Sequence, residues 1–222
     1  MKVLLFGATG MVGQGVLREC LKDPGVEAVL SVVRAPSGVV APKLRELVHG
    51  DFSDYDGLAA ELTGWDACLW CLGVTSAGMS EADYTRVTVD FPLAAARTLA
   101  RLNPSMAFVY VSGAGADSTG SSAVMWAKVK GRAERELLAL PFPRVHAVRP
   151  AALQPLHGIR SRTAWIRLAT VLMKPLFPLA RLLAPGQVLT TEELGRAMLR
   201  LAREGHPKAV LESRDLRDLG KA

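Results

Sequence analysis

Two hydrophobic patterns alternate along the 222 residues. Short, nearly continuous apolar runs at 2–6, 27–34, 44–48, 66–72, 106–111 and 144–149 read as strands. Those at 27–34, 66–72 and 106–111 are the most continuous, as strands buried on both faces are. Between them, apolar residues recur three and four apart near 11–22, 56–62, 80–102, 122–139, 161–184 and 191–204, which predicts helices. Asp23-Pro24-Gly25, Asn103-Pro104 and Pro141-Phe142-Pro143 punctuate the junctions. This alternation predicts an α/β fold, a doubly wound parallel sheet of six or seven strands covered on both faces. Neither an internal repeat nor a linker divides the chain, so one domain over 1–222 is expected. Within it, 1–153 would form the core and 154–222 a small helical cap with substrate-side elements.

The first strand empties into Gly7-Ala8-Thr9-Gly10-Met11-Val12-Gly13, followed by an amphipathic run with Val16, Leu17 and Leu21. A helix N-terminus offers bare backbone N–H groups, and missing Cβ atoms let a pyrophosphate come close. Strand, glycine turn and helix in that order predict a Rossmann fold with a dinucleotide cradled by residues 7–13. The second strand ends Ser31-Val32-Val33-Arg34, with a cation where an NAD-preferring site usually carries an acid. A guanidinium there pairs with a 2′-phosphate, so NADP(H) is expected over NAD(H); a solvated strand-end arginine is the alternative. His49-Gly50-Asp51-Phe52 and Cys71-Leu72-Gly73 close the third and fourth strands, at the edge where such sheets bind ligands. Asp51 is placed either to accept from an adenine amino group or to cap the Ser53-Asp54-Tyr55-Asp56 turn. Phe52, Cys71 and Leu72 join the expected contact set, with the Gly73 backbone over the ribose.

Half the residues are hydrophobic and 22% charged, which excludes a disordered chain. No stretch approaches the ~20 apolar residues of a spanning helix, and Met1 leads straight into a strand, so a cytoplasmic location is expected. Cys68 and Cys71 form a C-x-x-C, but residues three apart on a strand point to opposite faces, too far apart for a disulfide. The four histidines lack ligand spacing, so no metal is expected. The net charge of +6 is lopsided: no Asp or Glu lies between Leu137 and Thr191, where Arg144, Arg149, Arg160, Arg162, Arg167, Lys174 and Arg181 stand. Without interleaved aromatics this is no nucleic-acid module. A cationic wall around an anionic ligand, a helix pair over 160–184 that covers the substrate cleft with its cations solvated, a homodimer face, or docking of 160–184 on an anionic membrane remain open. Arg160, Arg167, Lys174 and Arg181, seven apart, would form a stripe on an apolar rod that Pro175 and Pro178 break. Thr190 or Thr191 is the expected N-cap of the last helix.

Gly7–Gly13, Gly50-Asp51, Val111-Ser112-Gly113-Ala114-Gly115-Ala116-Asp117, Val129-Lys130-Gly131 and Val148-Arg149-Pro150 occur in that order. Over about residues 1–153 the chain resembles the extended and atypical short-chain dehydrogenase/reductases, most closely the branch of Tat-interacting-protein-like oxidoreductases and the NmrA-like redox sensors. The resemblance implies an NADP(H)-dependent oxidoreductase acting on a small substrate, with Pro150 bordering the nicotinamide. It implies Ser112 orienting the substrate, and Lys130 holding the ribose and lowering the pKa of a tyrosine four residues earlier. That tyrosine is replaced by Trp126, whose indole N–H donates but exchanges no proton near neutrality. A reductase using water, Ser112 or Tyr84 for the proton is one account, and a non-catalytic NADP(H)-binding regulator another. A chemistry that needs no acid there is the third. His157 is a further candidate donor, and Ala151 stands in the family's glycine slot.

Overall fold

The computed structural model describes residues 1–161, 163–173, 177, 182 and 186–221. Six strands fall where the apolar runs place them: β1 (Lys2–Phe6), β2 (Ala28–Val33), β3 (Leu44–Val48), β4 (Ala67–Trp70), β5 (Ala107–Val111) and β6 (Arg144–Arg149). A seventh, β9 (Val210–Glu212), completes a sheet of order β3-β2-β1-β4-β5-β6-β9 in which every pairing is parallel. Two further three-residue strands, β7 (Ala152–Gln154) and β8 (Val188–Thr190), pair in parallel beside it.

The alternation of side chains along each strand divides the core in two. Leu4, Phe6, Cys68, Trp70, Phe108 and Tyr110 face α4 (Phe91–Leu102) and α5 (Met125–Leu138). Val3, Leu5, Leu69 and Val109 face α1 (Met11–Lys22), α7 (Thr191–Glu204) and α8 (Ser213–Gly220). Cys68 packs into the first layer and Cys71 against the second, so the two thiols stand on opposite faces; both are free and burial raises both pKa values. The crossing of α1 and α7 is close because both helices carry glycine there. A Cβ on Gly15 would lie 2.6 Å from Thr191 Cβ, and one on Gly195 2.8 Å from Glu19 Cγ.

Several boundaries differ from the sequence expectation. The helix expected at 56–62 is one turn, α2 (Ala59–Leu62). The one expected at 80–102 is α3 (Glu81–Thr85), a π-turn (Arg86–Asp90) and then α4. Pro92 explains the widening: it has no N–H to offer the carbonyl of Thr88 four residues earlier. The freed Thr88 oxygen accepts instead from the Tyr110 hydroxyl at 3.2 Å. Of 161–184, the structure describes α6 (Ala164–Met173); the expected break at Pro175 and Pro178 lies outside the described residues. Residues 188–220 return to the main sheet, supplying β9 and the helices α7 and α8 that cover one face. Thr190 is the N-cap of α7, in a reciprocal capping box with Glu193. Among the described residues no helix is long and apolar enough to cross a membrane.

Candidate cofactor and active site

The carboxyl ends of β1, β2, β4 and β5 form one edge of the sheet. At its centre the glycine loop turns from β1 into α1. Gly7 has φ +80°, and a Cβ there would lie 2.4 Å from the Leu72 nitrogen at the exit of β4. A Cβ on Gly13 would lie 2.0 Å from the Gly7 carbonyl oxygen, so α1 presses directly on the loop. Ala8 and Gly13 are buried, whereas Gly7, Thr9, Gly10, Met11 and Val12 are half-buried along the rim. Gly10 caps α1 with no side-chain hydrogen bond, and the first turn carries no acid. The leading N–H groups thus point outward with the positive end of the helix dipole behind them, which suits a pyrophosphate.

On one side of this loop Arg34 leaves β2 exposed, and no hydrogen bond or ion pair ties its guanidinium among the described residues. His49 N–H donates to the Val33 carbonyl at 2.8 Å, bringing the exit of β3 beside it. Asp51 is exposed; its Oδ1 accepts from the Ser53 N–H at 2.9 Å and from the Ser53 hydroxyl, which holds the carboxyl below its usual pKa. The turn-capping role is therefore present, with Oδ2 left for another donor. Phe52 is buried against Phe6 (6.3 Å between ring centroids) and Phe91 (6.0 Å) and supports the rim from beneath. Cys71 and Leu72 are half-buried, and Gly73 is exposed with open space where a Cβ would stand.

Two strand spacings from the glycine loop of β1, about 10 Å, lies the exit of β5. Ser112 is buried, its N–H donating to the Val148 carbonyl at 2.8 Å. Its hydroxyl lies near the Glu134 carboxylate but outside the geometry of a directed hydrogen bond, and it has no partner among the described residues. Lys130 Nζ donates to the Ser112 carbonyl at 3.3 Å, lies 5.8 Å from the centre of the Tyr110 ring, and packs its stem against Gly113. The residue is half-buried by surface, yet its ammonium is enclosed, and that desolvation lowers its pKa to about 8 against the pull of Glu134. Trp126, one turn earlier on the same face of α5, stacks over the left-handed turn at Gly115 (φ +87°), 3.2 Å from where a Cβ would stand. Pro150 is buried, its carbonyl accepting from Ala114 N–H at 3.1 Å.

The structure brings Ser112, Lys130 and Trp126 together at the edge that holds the glycine loop. It does not bring the other candidate proton donors there. Tyr84 is buried in the core among residues facing α4 and α5, and burial raises its pKa. His157, at φ +55°, lies 2.6 Å from Glu192 Oε1, which also accepts from Arg18 at 2.8 Å, on the α1–α7 side.

A buried network behind the site escaped the sequence reading. Glu134, fully buried, accepts from Arg149 Nε at 2.8 Å, from Arg149 Nη2 at 2.5 Å and from the Ser118 hydroxyl at 2.7 Å. Arg149 Nη1 also donates to Glu212 at 3.1 Å. Arg149 is thus a neutralised structural cation rather than part of a ligand-facing wall. The sequence shows only that Glu134 follows Lys130 by four residues, on one helix face; its partner Arg149 stands on a strand fifteen residues on. Of the other cations expected to form that wall, Arg144 is half-buried at the start of β6, the opposite end of the strand from the site, Arg160 and Arg167 are exposed, and Arg162, Lys174 and Arg181 lie outside the described residues.

Comparison with known proteins agrees with this geometry. The NAD(P)H-binding family matches residues 7–153. "Leucinostatins biosynthesis cluster protein T" of Purpureocillium lilacinum is 29% identical over 228 residues, covering 89% of this chain and 83% of that protein. The protein HTATIP2 of Rattus norvegicus is 30% identical over 153 residues, covering 68% of this chain and 62% of its own. Among solved structures, MoeE5 in complex with UDP-glucose and NAD superposes with a TM-score of 0.65 at 17% identity, over 96% of this chain and 75% of that one, and so shares the fold. The chain belongs to the NAD(P)H-binding family, on a Rossmann fold.

Proposed function

We propose that this chain is an NADP(H)-dependent oxidoreductase acting on a small substrate bound beyond the exit of β5. The observation that carries the reading is the pairing of Lys130 with the Ser112 carbonyl at 3.3 Å, on the sheet edge that holds the uncapped N-terminus of α1. When bound, the nicotinamide supplies or accepts the hydride. Residues 7–13 and the α1 N-terminus bind the pyrophosphate, and Arg34 reads the 2′-phosphate because no carboxylate of the described residues occupies it. Asp51 accepts from the adenine, and Lys130 donates to the ribose hydroxyls. The Ser112 hydroxyl, buried and without a partner, orients the substrate oxygen. Ser112 and Lys130 are the proton-bearing side chains at this point, because the Trp126 N–H is not exchangeable at neutral pH. The three free cysteines fit a reducing, cytoplasmic setting.

Trp126 favours a second reading, in which the protein binds NADP(H) without turnover and reports redox state to a partner. The experiment is a fluorescence titration with NADPH, followed by oxidation at 340 nm against carbonyl, quinone and flavin substrates. Turnover that falls at least a hundredfold in Ser112→Ala supports the enzyme. Tight binding without turnover, and none gained in Trp126→Tyr, supports the regulator.

A further inference from the structure

Arg86 opens the π-turn (Arg86–Asp90), and the turn decides where its side chain goes. In a regular α-helix two residues five apart point about 140° away from each other. Here the Phe91 N–H donates to the Arg86 carbonyl, five residues back, and this wider repeat brings the two residues onto one side. The Arg86 guanidinium accordingly lies over the Phe91 ring, 5.5 Å from its centre. Pro92, which widens the helix, is thus what aims the arginine.

Phe91 leads from there to the rim of the cofactor site. Its ring lies 6.0 Å from that of Phe52, the neighbour of Asp51, and Phe52 packs in turn on Phe6 at the end of β1, at 6.3 Å. Arg86 and Asp51 are both exposed. The two bonds from Ser53 lower the Asp51 pKa most, and the nearby Arg86 charge adds to them, so the two side chains border one space. Among the described residues no hydrogen bond or ion pair closes the gap between them, and Arg86 touches only the Phe91 ring. Asp51 Oδ2 and one face of the guanidinium are left over.

We propose that Arg86 forms one wall of the adenine site: the base stacks on the guanidinium face turned away from Phe91 while its amino group donates to Asp51. The proposal deepens the cofactor reading above and rests on it. A guanidinium suits the place because it is planar, weakly hydrated and stacks on aromatic faces, which an ammonium on a flexible stem does less well. Arg86 then holds NADH and NADPH alike, and the choice between them is left to Arg34.

The test is fluorescence titration of NADPH and of NADH into the wild type, Arg86→Ala and Arg86→Lys, with circular dichroism to verify the fold. Both variants are expected to fold, because position 86 is exposed and helical (φ −53°, ψ −47°). Arg86→Ala is expected to weaken both dinucleotides by the same factor, about 5- to 30-fold, the worth of a partly desolvated cation–π contact. Arg86→Lys keeps the charge and loses the plane, and is expected to stay at least about threefold weaker than the wild type. Unchanged affinity in Arg86→Ala overturns the proposal. So does a loss confined to NADPH, which places the guanidinium on the 2′-phosphate, and so does full recovery in Arg86→Lys, which needs only a point charge. A wild type that binds neither dinucleotide strikes the cofactor reading itself, and this proposal with it.

Discussion

Replacing Glu134 by glutamine keeps the shape of the side chain and removes the charge that answers Arg149. The carboxylate is fully buried, and the Arg149 side chain is only 15% exposed, so little solvent can take over. Removing one member of a buried pair costs about 3–5 kcal/mol, because the other charge stays desolvated. Glu212 still reaches Arg149 at 3.1 Å from a side chain that is 53% exposed, which sets the expectation at the low end, about 3 kcal/mol. With a urea slope of about 2 kcal/mol per M, that is a midpoint drop of about 1.5 M, read by circular dichroism. The pH dependence has a definite sign. Burial pushes the Glu134 carboxyl up, but Arg149, the nearby Ser112 hydroxyl and Ser118 together outweigh it and hold the pKa below the usual glutamate value. The stabilisation is therefore fully present above the ordinary glutamate pKa and lost as pH falls through the lowered folded one; Glu134→Gln lacks that acid limb. A loss under about 1 kcal/mol at unchanged slope would refute the reasoning. The double variant Glu134→Leu/Arg149→Met is expected to recover much of the loss, since replacing both leaves no buried charge unpaired.

Arg34→Asp is expected to lower the NADPH-to-NADH affinity ratio about 10- to 100-fold, the worth of a charged hydrogen bond plus like-charge repulsion; fluorescence titration checks it, and an unchanged ratio removes Arg34 from the site. Lys130, with a pKa lowered to about 8 by burial, is charged below that pH and must be charged to hold the ribose. NADPH affinity is therefore expected to fall as pH rises through 8 in the wild type, and to show no such step in Lys130→Met. The unliganded protein behaves oppositely: the depressed lysine pKa makes its stability rise between about pH 8 and the ordinary lysine value. Gly13→Ala places a methyl 2.0 Å from the Gly7 carbonyl oxygen, and thermal unfolding is expected to show at least ~2 kcal/mol of destabilisation.

The central sheet and the glycine loop were legible because each rests on a local pattern of sufficient length. Ala107–Tyr110 is apolar on both faces and Val29–Val33 is so but for the buried Ser31, as a parallel strand under two helix layers requires. The strands β7, β8 and β9 are three residues each, too short to carry a period, and α8 reads as a charged surface run. They are fixed by partners distant in the chain, as Ala151 to Ser213 illustrates. Lys130 and Ser112 were found because they keep fixed offsets from neighbouring motifs. The Glu134–Arg149 pair joins a helix to a strand fifteen residues on, and only packing shows that the two charges face each other. The same limit applies to His157, whose partner Glu192 lies thirty-five residues away.

The most direct test of the account is NADPH binding by Gly10→Val. Gly10 has φ −79° and ψ 165°, which valine adopts freely, and a Cβ there meets only the Gly7 oxygen at 3.4 Å. The fold is therefore expected to survive with a loss under about 1 kcal/mol, the difference between glycine and an aliphatic N-cap. The added methyls would project into the space where the pyrophosphate meets the α1 N-terminus, and NADPH affinity is expected to fall at least a hundredfold. Unchanged affinity in a folded Gly10→Val protein would contradict the claim that this loop holds the dinucleotide.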